Sequence, residues 1–263
     1  MMPRVERATF VTHGVTRNVE DAVARLEALA EREGVALVDD DDSPQIAVVL
    51  GGDGTMLRAL QRFLDSGVPV IGANFGRVGF LAAIPGPELE TGLARVFSGE
   101  YAVQSLPTLE VMFGDGRHAA VNDVVAVSGT PGRIVELSYS IGGEDLGTQP
   151  CDGLICATPS GSTAYNLSNG GPVLVWGLEA MVVTFVAPHS LHSRPLVVGP
   201  DTDLVVTNRS ADVGATVLVD GHPIGELAVG ETVVTHLGRE RSLLATLPER
   251  SFFQRYGDVF GAG

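Results

Sequence analysis

The stretch AVVLGGDGTMLRAL, Ala47 to Leu60, constrains the fold of this chain more than any other. Ile46, Ala47, Val48, Val49 and Leu50 form a short apolar run, and Met56, Leu57 and Leu60 recur at helical spacing. The glycines Gly51, Gly52 and Gly54 therefore fall at a strand-to-helix turn. Glycine lets the backbone approach a ligand closely, and the N–H groups of a helix's first turn favour anions. Asp53 puts a carboxylate in that turn, just ahead of Thr55. A negative charge beside an anion site is unfavourable for simple binding and points to a task, either holding a metal or taking a proton from a hydroxyl.

The surrounding pattern predicts a parallel sheet covered on both faces. From Ala8 the chain reads strand (ATFVTH), helix (NVEDAVARLEALAEREG), strand (VALVDD), the glycine turn with its helix to Phe63 or Leu64, and strand (VPVIGAN). Ligands of such sheets collect at the carboxyl ends of the strands, where GGDGT lies. DDDDS, Asp39 to Ser43, reads as a solvated loop. After about Tyr101 short β-rich runs follow one another, divided mostly by Gly, Pro, Asn or Asp, which predicts an all-β second domain. The expected division is an α/β domain over 1–100, a β-rich domain over 101–250 and a tail over 251–263 that packs back on the first domain as a helix.

Composition narrows the chemistry. The formal charge of −15 argues against nucleic acid and anionic membranes as partners. All 17 basic residues are arginine, and the absence of lysine excludes a Walker A loop, a kinase-type phosphate lysine and a Schiff base. Phosphates, if handled, fall to glycine backbone, arginine and a divalent cation. Cys151 and Cys156 do not make a disulfide scaffold or a CxxC pair and read as small buried side chains. No apolar run approaches the roughly 18 to 20 residues of a membrane span, and MMPRVERATF lacks a signal-peptide centre, so a cytoplasmic protein is expected.

Three further segments carry polar chemistry. TPSGSTAYNLSNGGP packs hydroxyls, asparagines, one tyrosine and glycines together, which suits a nucleotide and equally an ordinary structured loop. VNDVVAV sets Asn122 and Asp123 within an apolar β run, where a turn or bulge is the alternative to a cleft-facing pair. IGANFGRVGFLAAI ends a strand in glycines and an amide, with Phe80 either covering a ligand or in the core. His189 and His192 lack a third metal-ligand candidate nearby, and GSTAY is not the GxSxG of a hydrolase elbow.

GGDGT, NFGRVGFL, VNDVV, CDGLICATPSGSTAYNLSNGGP and APHSLHSRPLVV, in this order and spacing, resemble the NAD kinase family. GGDGT alone is shared with diacylglycerol-type lipid kinases and, more distantly, 6-phosphofructokinases. The resemblance implies a nucleotide-binding α/β N-terminal domain, a sandwich-like all-β C-terminal domain, and transfer of phosphate from ATP, with a divalent cation such as Mg²⁺, to the 2′-hydroxyl of the adenosine ribose of NAD. It also implies a homodimer or homotetramer in which a neighbouring subunit helps complete the site. By this resemblance Asp53 is the base, and Gly51, Gly52, Gly54 and Thr55 line the phosphate path. Asn122 and Asp123 match the family's Asn-Glu pair on the adenine and ribose, the second residue being a methylene shorter here. Asp152 matches the aspartate that contacts the nicotinamide side. Thr163, Ala164, Tyr165, Asn166, Leu167 and Ser168 match the segment around NAD, with Tyr165 as its ring contact and Phe80 as a further contact. Arg58 and Arg133 resemble basic positions near the substrate phosphates, and His222 a polar position near NAD. QPCDG lacks the basic residue that many members carry just before the aspartate. The alternatives are a lipid kinase with the same glycine loop and a noncatalytic nucleotide sensor.

Overall fold

A computed structural model describes residues 2–13, 17–75 and 79–261. Gly76, Arg77 and Val78, the centre of NFGRVGFL, lie outside the described residues. The chain divides into two compact units, 1–105 with 242–263, and 106–241. Both cuts fall inside long strands, 102–113 and 232–246, whose chain continues from one unit into the other.

The first unit comprises β1 (Arg7–Thr12), α1 (Arg17–Glu33), β2 (Ala36–Leu37), β3 (Ile46–Leu50), α2 (Asp53–Arg62), β4 (Val70–Asn74), β5 (Ile84–Pro85) and α3 (Leu89–Phe97). Its sheet runs β2-β1-β3-β4, every pairing parallel, with β5 on β4. All five residues of β3 are buried, as a central parallel strand covered on both faces requires. Leu26, Leu29, Leu89, Leu93 and Phe97, from α1 and α3, pack on Ile46, Val48, Leu50 and Ile71. VALVDD contributes a strand of two residues only, because Asp39 to Ser43 turns away: Asp40 accepts from the Thr9 hydroxyl at 2.8 Å and pairs with Arg62.

The second unit holds β6 (Ala102–Phe113), β7 (Gly116–Ala120), β8 (Asp123–Ser128), β9 (Val135–Ile141), β10 (Glu144–Cys151), β11 (Gly153–Ala157), α4 (Tyr165–Ser168), β12 (Met181–Val186), β13 (Leu196–Val198), β14 (Leu204–Asn208), β15 (Ala215–Val219), β16 (His222–Leu227) and β17 (Thr232–Thr246). One sheet runs β10-β9-β14-β17, with β6 on β17 and β7 on β6, and the other runs β13-β12-β11-β8-β15-β16. Both are antiparallel within this unit. Period-two alternation splits the second sheet between two cores. Val124, Ala126, Leu154, Cys156, Met181 and Val183 face the first sheet in a sandwich, while Val125, Ile155, Ala157 and Val182 pack under Leu174 and Ala180. The polar segment after β11 is thus the lid of a buried sheet face. Cys151 and Cys156 are free and buried, and burial pushes the Cys151 thiol up to about 12.

The chain ends in α5 (Phe252–Phe260), which belongs to the first unit. Ser251 caps it, its hydroxyl accepting from the Gln254 N–H at 3.3 Å. Among the described residues no helix is long and apolar enough to cross a membrane.

Candidate functional site

Within the first unit, Gly51 follows β3 and donates its N–H to the Ala73 carbonyl of β4 at 3.0 Å, which fixes the turn at the carboxyl ends of two parallel strands. Gly52 is the N-cap of α2 and Asp53 its first residue. A Cβ added at Gly52 or Gly54 would meet nothing within 4 Å, whereas one at Gly51 would strike the Thr55 hydroxyl. Two of the three glycines therefore keep an open approach to the helix N-terminus, and the third packs against a buried Thr55.

The Asp53 carboxylate is held by backbone. It accepts N–H bonds from Phe80 at 2.6 Å, Leu81 at 3.1 Å and Ala82 at 3.4 Å. A Cβ at Gly79 would lie 2.2 Å from its Oδ1, so glycine is required where that chain passes. These bonds fix both oxygens and leave lone pairs for a hydroxyl. Phe80, the expected ligand contact, is 6% exposed; its ring packs against Phe252 and Phe260 of α5 and its N–H donates to Asp53. Arg58 is exposed on α2 and contacts His13.

In the second unit the VNDVVAV run is not continuous strand. β7 ends at Ala120 and β8 begins at Asp123, so Asn122 sits at a corner. The corner is built by Asp220, whose carboxylate accepts the N–H groups of Val121 at 2.7 Å, Asn122 at 2.7 Å and Asp123 at 3.0 Å. The Asp220 N–H returns a bond to the Asp123 carbonyl at 2.9 Å. Asp220 (φ 49) and Gly221 (φ 81) form the two-residue turn between β15 and β16, which suits the Asp-Gly sequence. Burial, and next the Asp220 charge, push the Asp123 carboxyl up to about 7.

The TPSGST segment docks on this corner. Thr158 donates its hydroxyl to the Val121 carbonyl at 2.7 Å, its N–H goes to the Asn122 carbonyl at 2.8 Å, and the Ser160 hydroxyl donates to the Asn122 side chain at 3.1 Å. Asn166 is fully buried: its amide nitrogen donates to the carbonyls of Ser162 and Pro172, and its oxygen accepts from the Thr184 hydroxyl. These bonds make it a strut of the segment. Tyr165 and Ser168 are exposed, and Thr163, Ala164 and Leu167 are half-buried.

The expected residues thus fall into groups. Asn122, Asp123 and the TPSGST segment gather at one end of β8, and His222, exposed, opens β16 directly after the Asp220 turn. Asp152 and Arg133 gather at the other end. The Asp152 carbonyl accepts from Ser128, the last residue of β8, and Arg133, in the turn beyond, pairs with Asp212 at 2.7 Å on an exposed surface. Six strand residues separate the two ends by about 17 Å. Sequence reasoning missed Asp220, Thr158 and the peptides of 80–82. The Asp-Gly dipeptide between alternating apolar residues was a readable signal for the first, and nothing local marked the last. Among the described residues no three His, Cys, Asp or Glu side chains cluster as a metal site.

Residues 7–101 match the family model of the ATP-NAD kinase N-terminal domain, and residues 121–245 that of the ATP-NAD kinase C-terminal domain. The chain is 37% identical over 214 residues to an NAD kinase of Heliobacterium modesticaldum, covering 80% of this chain and 76% of that protein. It is 37% identical over 229 residues to an NAD kinase of Gemmatimonas aurantiaca, covering 84% and 79%. A crystal structure of an NAD kinase from Archaeoglobus fulgidus in complex with ATP is similar with a TM-score of 0.81 at 26% identity, covering 98% of this chain and 100% of that one.

Proposed function

This chain belongs to the ATP-NAD kinase family, and from that premise we propose that Asp53 activates the 2′-hydroxyl of the adenosine ribose of NAD for attack on the γ-phosphate of ATP, giving NADP. As a member of the family it is a kinase that phosphorylates NAD, with ATP as donor. The observation that carries the assignment of Asp53 is its carboxylate, fixed by three backbone N–H groups at the open N-terminus of α2.

Phosphoryl transfer through a loose transition state needs positioning and charge neutralisation more than covalent chemistry. Asp53 orients the hydroxyl and accepts its proton. Gly52 and Gly54 admit the phosphates to the helix N-terminus, with Arg58 as the nearby cation on the same helix. Asn122 and Asp123 hold the adenine and ribose, and the exposed Tyr165 ring stacks on the ligand. With no cluster of three or more metal-ligand side chains among the described residues, the donor set suits a divalent cation carried by the phosphates of ATP, which is how Mg²⁺ usually enters kinase sites.

The separation of Asp152 and Arg133 from the Asn122 corner supports an oligomer in which these two residues serve a neighbouring copy's site. A cytoplasmic location accords with this substrate pair. The test of the reaction is donor-dependent conversion of NAD by purified protein with ATP and Mg²⁺, the product's phosphate located by ³¹P NMR. A 2′-phosphate supports the proposal; a phosphate elsewhere on NAD, or none, overturns it.

A further inference from the structure

Arg255 of α5 is 4% exposed, and a single nitrogen of its guanidinium, Nη1, donates to the carbonyls of Phe80 and Ala82, both at 2.9 Å. The Phe80 carbonyl belongs to the same planar peptide as the Leu81 N–H, which donates to Asp53 Oδ1 at 3.1 Å. In a trans peptide the two groups point in opposite directions, and no cis bond occurs among the described residues. The guanidinium therefore pulls on one end of the peptide whose other end grips the carboxylate. Hydrogen bonds in such a chain polarise and strengthen one another. The second accepted carbonyl, of Ala82, precedes the Ala83 N–H, which donates to Gly72 of β4 at 3.0 Å and ties the same stretch to the sheet. Burial pulls the Arg255 guanidinium down to about 10, opposed by the Asp53 charge, so it stays a cation at neutral pH.

From this geometry we infer that Arg255 is a positioning residue for catalysis, acting on Asp53 through the peptides of residues 80–82. The inference rests on the assignment of Asp53 in the proposed function. It makes the terminal helix a working part of the catalytic turn. The aromatic contacts of Phe80 with Phe252 at 5.4 Å and Phe260 at 5.9 Å hold α5 where the guanidinium can reach. Arg255 also lines a cavity of about 310 Å³ with Gly79, Ala82, Arg250 and Asp258. Because Arg255 itself lines the cavity, removing its side chain leaves a small cation a route to the guanidinium's place.

The experiment is Arg255→Ala in the full chain, alone and combined with Asp53→Asn, with kcat and both KM values measured beside the wild type. Expected are a kcat lowered by roughly 10- to 30-fold, KM values within about twofold, and partial recovery of kcat in millimolar guanidinium, well below denaturing levels. In the Asp53→Asn background the same change should cost less than about twofold, because the wire then ends on no charge. An equal loss in both backgrounds, an effect on KM alone, or an unchanged kcat would overturn the inference. If Arg255→Ala does not fold, Arg255→Lys is read in the same way, with a kcat loss of roughly threefold expected only where Asp53 is present. A wild type that makes no NADP would overturn the proposed function instead.

Discussion

Asp220 and Asp123 share a buried corner: the Asp220 carboxylate accepts the Asp123 N–H at 3.0 Å, and the Asp220 N–H donates to the Asp123 carbonyl at 2.9 Å. One acidic side chain is consumed in building the turn that presents the other. Burial and the neighbouring charge raise the Asp123 carboxyl from 3.8 to about 7. A carboxyl raised on folding favours the folded state while protonated, so its contribution is complete below about pH 4 and is lost as pH rises through 7. Asp123→Asn should remove that slope and leave the variant roughly 2–4 kcal/mol more stable than wild type near pH 8, with little difference near pH 4. Urea melts at the two pH values check it; parallel pH profiles would contradict it.

Two glycines should separate folding from phosphate approach. Gly161→Ala brings a Cβ to 2.1 Å from the Asn122 carbonyl, a backbone atom that cannot swing aside, and should cost roughly 2 kcal/mol or more. Gly52→Ala meets nothing within 4 Å and should fold with near-native stability, while weakening ATP by roughly tenfold through the narrowed approach to α2. Thermal melting and ATP titration of both variants decide whether the two effects part in this way.

Adjacent residues of one segment should behave oppositely. Tyr165 is 42% exposed, so Tyr165→Ala should leave stability within about 0.5 kcal/mol and raise KM for NAD severalfold. Asn166→Ala strips partners from the Ser162 and Pro172 carbonyls and the Thr184 hydroxyl, and should destabilise by roughly 2–4 kcal/mol. Denaturation midpoints set beside NAD kinetics give the comparison.

The shared-site reading predicts complementation. Asp53→Asn and Asp152→Ala should each be nearly inactive alone, and each of their heterodimers should regain roughly half of wild-type activity, about a quarter averaged over a randomly mixed co-expressed population. Activity that stays at the level of the weaker parent would place Asp152 in its own chain's site or outside any site.

The sequence made the strand-to-helix turn legible because glycine, apolar run and helical spacing agree there, each for its own physical reason. Parallel β1, β3 and β4 followed from the alternation of strands and helices. β16 was missed because HPIGEL does not alternate cleanly, although the Asp-Gly turn before it announced a hairpin. The apolar runs ETVVTHLG and SLLATLP are separated by polar residues that nonetheless continue one strand, β17, whose partners rather than its composition keep it extended. The contacts that matter most at Asp53 join residues 27 to 29 positions apart through backbone N–H groups, which any residue but proline supplies, so side-chain identity carries no trace of them. The turn at Asn122 was one of two readings open to VNDVVAV, and the sequence could not decide between them because the carboxylate that builds the corner comes from nearly a hundred residues away.

The measurement that bears most directly on the account is turnover of Asp53→Asn. The carboxamide keeps one oxygen for the N–H groups of residues 80–82 and loses the charge that takes the proton. NADP formation from NAD, ATP and Mg²⁺ should fall by at least roughly a hundredfold in kcat, with the fold and NAD binding retained and the melting temperature lowered by roughly a few degrees, because the new NH2 faces a donor N–H. A folded variant turning over within about threefold of wild type would contradict the role given to Asp53.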